Sequence, residues 1–120
     1  MSRINAGIPP KELTDRHLIA EHREIKRIPN LIKKGKLSNT GAPAEFTLGT
    51  GHIKFFYDKQ LFLLKRYKDL YAECHRRNFN VQDYSTAWDG VPVELMNDYL
   101  PTVRDRKIVK ERIRNRLAGK

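Results

Sequence analysis

The stretch Asp58 to Asn78, DKQLFLLKRYKDLYAECHRRN, constrains the fold of this chain more than any other. Leu63, Tyr67, Leu70 and Cys74 recur at helical spacing, with Phe62, Leu64 and Tyr71 alongside. At about 3.6 residues per turn these side chains form one wide apolar face, so this helix must be the central and most buried element. Asp58 is its expected N-cap. Cys74 lies on the same face and reads as inert packing rather than as a nucleophile.

Two further helices cover it. The first follows Pro9-Pro10, opens near Thr14 as N-cap and runs through DRHLIAEHREIKR until Pro29 kinks or interrupts it; LIKKGK adds a turn before Gly35. Residues 36–51 are rich in Gly, Ser, Thr and Asn and read as loop, as do residues 78–90. VPVELMNDYLP reads as a short helix or turn ending at Pro101, after which Thr102 can cap a third helix, TVRDRKIVKERIRNRL, stopped by Gly119. No stretch shows sustained period-two alternation, and there are no repeats. The expected fold is all-α: one compact domain, residues 1–120, of three main helices with long connecting loops. A chain of 120 residues can bury a core without disulfides or metals.

Composition narrows the chemistry. One cysteine excludes an internal disulfide framework and paired-cysteine zinc sites, and His17, His22, His52 and His75 are scattered, so no cofactor or metal is expected. The N-terminus, MSRINAGIPPKELTDR, has no apolar core of a secretory signal, and no apolar run approaches membrane-spanning length. The expectation is a cytoplasmic protein with no membrane partner.

Lys and Arg outnumber Asp and Glu by 24 to 14, a net +10. That excess points to a polyanion, nucleic acid or an acidic membrane surface, unless the chain is merely basic. In the first helix Leu18, Ile25, Ile28 and Ile32 gather on one face, and Arg16, Arg23 and Arg27 on the other with Lys34 in line. Three arginines on one stripe make a phosphate comb. Glu24 interrupts it, either as a simple i,i+3 ion pair with Arg27 or as an acid/base or cation-stabilising group beside a reacting sugar. Periodicity does not choose between the two. The third helix carries seven positive residues between Arg104 and Arg116 against Asp105 and Glu111. Two basic helices favour a clamp or groove over a single patch.

Several blocks carry a family resemblance: Met1-Ser2-Arg3-Ile4-Asn5, HLIAEHREIKR at 17–27, FTLGTGHIKFFYDK at 46–59, AECHRRNFNVQD at 72–83 and VPVELMNDYLP at 91–101. In these the chain resembles the bacteriophage endonuclease V family, the pyrimidine-dimer DNA glycosylase/AP lyases of T-even phages. The resemblance implies a monomer that binds damaged double-stranded DNA, in a phage-infected bacterial host, and acts at cyclobutane pyrimidine dimers. It implies that Ser2 stands at the family's N-terminal threonine, whose α-amine is the nucleophile, and that Glu24 is the catalytic glutamate. It makes Arg3, Arg23, Arg27, Arg112 and Arg116 DNA contacts. The family's best-known member continues into an aromatic-rich tail where this sequence stops at RLAGK, and the loop at 36–45 is shorter and less basic, which bears on the lesion rather than on the lyase chemistry. Two other readings stay open: a non-catalytic DNA-binding protein on the same scaffold, and a glycosylase/lyase for a different modified base.

The chemistry asks for such a terminus. Imine formation needs a neutral amine, and an α-amine near ~7.7–8.0 is partly free at neutral pH where a lysine near ~10.4 is not. Ser2 is small enough for methionine aminopeptidase to remove Met1 and expose that amine. Arginines around it disfavour the ammonium further.

Overall fold

The computed structural model describes residues 3–119, with side chains as far as residue 117, and no strand occurs among them. Five helices appear: α1 Asp15–Glu24, α2 Arg27–Lys33, α3 His52–Phe55, α4 Gln60–Arg76 and α5 Val103–Gly119. Short 3₁₀ turns lie at Pro10–Glu12, Ser85–Trp88 and Val93–Leu95. The fold is helical with long connections, as the apolar spacing predicts.

Helix α4 is the axis. Leu63, Leu70 and Cys74 are fully buried and Tyr67 nearly so, and the larger of these side chains each contribute about 1.5–3 kcal/mol from burial. Helix α1 packs against it, with Leu18 on the shared core; Ile25 and Ile28 follow in that core, while Ile32 is only partly buried. Asp58 does not cap α4. The cap position is Lys59, with no side-chain bond; Asp58 pairs with Lys59 at 3.1 Å and its carbonyl accepts from Asn97 Nδ2. GHIKFFY coils early into α3, and the turn out of it is closed by Gln60 Nε2 donating to the Phe56 carbonyl at 2.7 Å. At the far end Asn78 adopts a left-handed φ of 63°, and Phe79 N–H returns to the Cys74 carbonyl at 2.9 Å.

Thr14 caps α1 as expected, accepting from the His17 amide. The helix then stops at Glu24, upstream of Pro29. Proline has no N–H to give the Ile25 carbonyl, which takes a 3.3 Å bond from Ile28 N–H instead. The predicted kink is therefore a complete break at Ile25–Lys26, with α2 starting afresh at Arg27. Helix α5 begins at a reciprocal cap: Asp105 N–H donates to Thr102 Oγ1 and Thr102 N–H to Asp105 Oδ2, both at 3.0 Å. Val109 anchors this helix in the core, and most of the rest of its surface is charged.

The lead-in before α1 is buried, which sequence reasoning did not anticipate. Ile4, Ala6 and Ile8 all point into the core, and Asn5 is 4% exposed. Gly7 is required there: its φ is 81°, and a Cβ would stand 2.3 Å from Arg106 Cγ.

Candidate active site

Helices α1 and α5 and the first described residues enclose a groove of about 990 Å³. Arg16, Arg23 and Glu24 come from α1, Arg112 and Arg116 from α5, and Arg3 from the N-terminal segment. His17, Glu21 and Asn5 also line it. The two basic helices thus face one another across a groove. Of the seven basic side chains of α5 between Arg104 and Arg116, only Arg112 and Arg116 reach it. Arg104 instead donates to the Phe46 carbonyl, and Arg106 to the Pro101 carbonyl.

Arg27 is not among the groove residues. It is exposed at the first position of α2, and the break at Ile25–Lys26 interrupts the register that would have continued the stripe of Arg16 and Arg23. The i,i+3 pair of Glu24 with Arg27 does not form as envisaged; Arg23 Nη2 meets Glu24 Oε2 at 3.2 Å instead. That contact is peripheral on the arginine's side, where the side chain is 54% exposed against 16% for Glu24. Ser2, the expected nucleophile, lies outside the described residues.

A second carboxylate occupies the groove floor. Glu21 is 1% exposed and takes both Nε and Nη2 of Arg66, at 2.8 and 2.9 Å. Asn5 Nδ2 also donates to it at 2.8 Å, and Arg66 Nη1 donates to the Ile8 carbonyl at 2.5 Å. The pair ties α1, α4 and the N-terminal segment together. With its lone pairs taken, Glu21 is a structural acid, whereas the groove's uncompensated charge is that of its arginines. One of them, Arg3, has a buried Nη1 with no hydrogen-bond partner among the described residues. Crowding also leaves its mark on Arg112, whose guanidinium pKa is lowered by burial and then by Arg3 and Arg116.

His17 sits on this wall, its Nδ1 3.1 Å from Thr14 Oγ1. Burial first, then Arg112, Arg116 and Arg16, lower its pKa, so its neutral ring is favoured. Sequence reasoning passed it over, although its spacing of seven from Glu24 puts both on one helix face. No comparable signal exists for Glu21 with Arg66, which are 45 residues apart.

Five arginines converging on one groove give it a positive lining of the kind that attracts polyanions. No helix among the described residues is long and apolar enough to cross a membrane. A family model described as pyrimidine dimer DNA glycosylase matches residues 1–86 of the 120. The chain belongs to that family, and DNA is the substrate class the family implies. The match takes in Arg3, Glu21, Arg23, Glu24, Arg27 and Arg66 and ends before α5, so Arg112 and Arg116 stand on the geometry of the groove alone.

Proposed function

We propose that the chain acts as one unit over residues 1–120, as a glycosylase with AP-lyase activity on pyrimidine dimers in duplex DNA. Its nucleophile is the α-amine of Ser2 after loss of Met1. The observation that carries the reading is that Arg3, the residue joined to Ser2, lines the same groove as Glu24. In this mechanism the amine lone pair bonds to C1′ and the glycosidic electrons leave with the base. Ring opening at O4′ gives a protonated Schiff base. Removal of a C2′ proton then expels the 3′ phosphate. Glu24 stabilises the cation and assists the proton transfers. Arg3, Arg16, Arg23, Arg112 and Arg116 hold phosphates, and Arg27 takes a flanking phosphate outside the groove.

Borohydride trapping on abasic-site duplex tests the reading, because reduction freezes the imine. The adduct is expected at the Ser2 amine, and Ser2→Ala is expected to trap as well as the parent, since the backbone amine reacts and not the hydroxyl. Retained Met1 displaces the amine by roughly 3.3–3.6 Å of chain and is expected to suppress trapping while DNA binding persists. Absence of any adduct from the processed protein would leave a DNA-binding protein without lyase chemistry.

A further inference from the structure

The residue two places downstream of the proposed nucleophile is held by a titratable ring. Ile4 N–H donates to His52 Nε2 at 2.9 Å, and His52 Nδ1 lies 2.7 Å from the Thr47 carbonyl oxygen. An imidazole satisfies both contacts only as the neutral Nδ1–H tautomer, donating to Thr47 and accepting from Ile4. The ring is 1% exposed and packs edge-on against Phe46 and Phe56, each at a centroid distance of 5.5 Å. A buried backbone N–H needs an acceptor, and in a helical fold another carbonyl usually provides it. Here the acceptor is a group that becomes a donor when protonated.

We propose that His52 is a positioning residue: its neutral imidazole latches the Ile4 amide, fixes the N-terminal amine against the groove that holds Glu24, and lets go when protonated. The inference rests on the Ser2-amine reading. Two residues of chain span at most about 7 Å, so the position of Ile4 bounds where the amine can stand. The neighbouring anchor, Asn5 on Glu21, restrains a side chain and leaves the Ile4 amide dependent on His52. The charged groups facing the ring are Arg3 from the N-terminal segment, Arg112 from α5 and Glu21 from α1. Glu21 is already engaged by Arg66, so the cations prevail. Burial is the largest influence and favours the neutral ring; the Thr47 carbonyl, next in size, opposes it, and Arg3 and Arg112 add to the burial while Glu21 opposes least. The folded pKa is thus below the ordinary 6.5, and the latch is closed at neutral pH and opens as pH falls through that lowered value.

The test uses processed full-length protein, abasic-site duplex and cyanoborohydride between about pH 5 and pH 8. His52→Phe keeps a ring but no acceptor and is expected to trap at least about tenfold more slowly at neutral pH, with duplex affinity unchanged. His52→Gln offers an amide oxygen that does not titrate. It is expected to restore trapping, and its rate relative to the parent is expected to rise as pH falls, a ratio in which protonation of the amine itself cancels. Wild-type trapping by His52→Phe, or a flat ratio for His52→Gln, overturns the proposal. In the unmutated protein, the ¹⁵N-resolved Ile4 amide is expected to shift together with the His52 ring nitrogens on acidification; an Ile4 resonance indifferent to that titration also overturns it. If the parent never traps, the amine reading falls and takes the positioning role with it, while the Ile4 titration separately decides whether the latch exists.

Discussion

Replacing Arg112 and Arg116 together by alanine is the perturbation that most directly measures the groove. Five arginines line it: Arg3, Arg16, Arg23, Arg112 and Arg116. If each neutralises one phosphate and Arg27 a sixth outside the groove, log K falls against log salt with a slope near −5.4, at about −0.9 per contact on duplex DNA. Raising salt from about 50 to about 200 mM then costs the parent roughly 1,800-fold in affinity. The double variant keeps four contacts and a slope near −3.6, so the same change costs it only about 150-fold. Neither side chain makes a hydrogen bond or ion pair described in this fold, and both sit on the outer part of α5 beyond Val109, so the fold is expected to survive. Fluorescence anisotropy of a labelled duplex across a salt series reads the slope. An unchanged slope would remove α5 from the DNA interface and with it the argument that the groove is a binding cleft.

Other parts of the scheme give separate outcomes. Glu24→Gln keeps the shape and loses the charge, so it is expected to bind damaged duplex normally while single-turnover cleavage drops by about 10²-fold or more; cleavage at the parent rate would return Glu24 to the role of a partner for Arg23. Arg66→Met strands the carboxylate of Glu21 in the core and is expected to cost about 3–5 kcal/mol in urea unfolding, with Glu21→Gln added to it recovering part of that loss. A cost below about 1 kcal/mol would refute the clamp. His22 and His52 are both held below 6.5, chiefly by burial, so their neutral forms belong to the folded state. The unfolded chain binds protons first as pH drops below 6.5; stability from these rings is therefore complete above that value and is lost as pH falls through the lower folded values. Urea midpoints that stay level between about pH 7.5 and pH 5 would contradict it.

The architecture was legible wherever a local rule decided it. Apolar spacing located α4 and its buried face, Thr14 and Thr102 marked two helix starts, and the absence of period-two stretches left only helices. Local rules failed where a competing partner stood elsewhere in the chain. Asp58 has the chemistry of a cap, but the adjacent Lys59 holds its carboxylate and Asn97, 39 residues further on, its carbonyl. Pro29 announced a disruption, yet the lost N–H is felt at Ile25, which moves the break upstream and carries Arg27 out of the groove. The burial of Ile4, Ala6 and Ile8 had no usable signal, since five residues of alternation without a pairing strand are too few to read.

The two glutamates of α1 show why the site was harder to read than the fold. Glu21 and Glu24 are three residues apart on one helix and are identical to any argument from spacing. Their environments separate them. Glu21 meets Arg66 and Asn5 in the core, so its charge is spent on holding the N-terminal segment, and removing it is a question of stability. Glu24 stands on the groove wall beside a half-exposed Arg23, so its charge faces whatever the five arginines draw in. A helix aimed only at phosphates gains nothing from an acid there, because each phosphate it repels offsets an arginine's attraction. The same acid is useful in the proposed mechanism, where a sugar carbon turns cationic as the base departs. Sequence can place both acids on α1; the buried Arg66, 45 residues beyond Glu21 on another helix, is what commits Glu21 to the core, and the proposed chemistry therefore falls to Glu24.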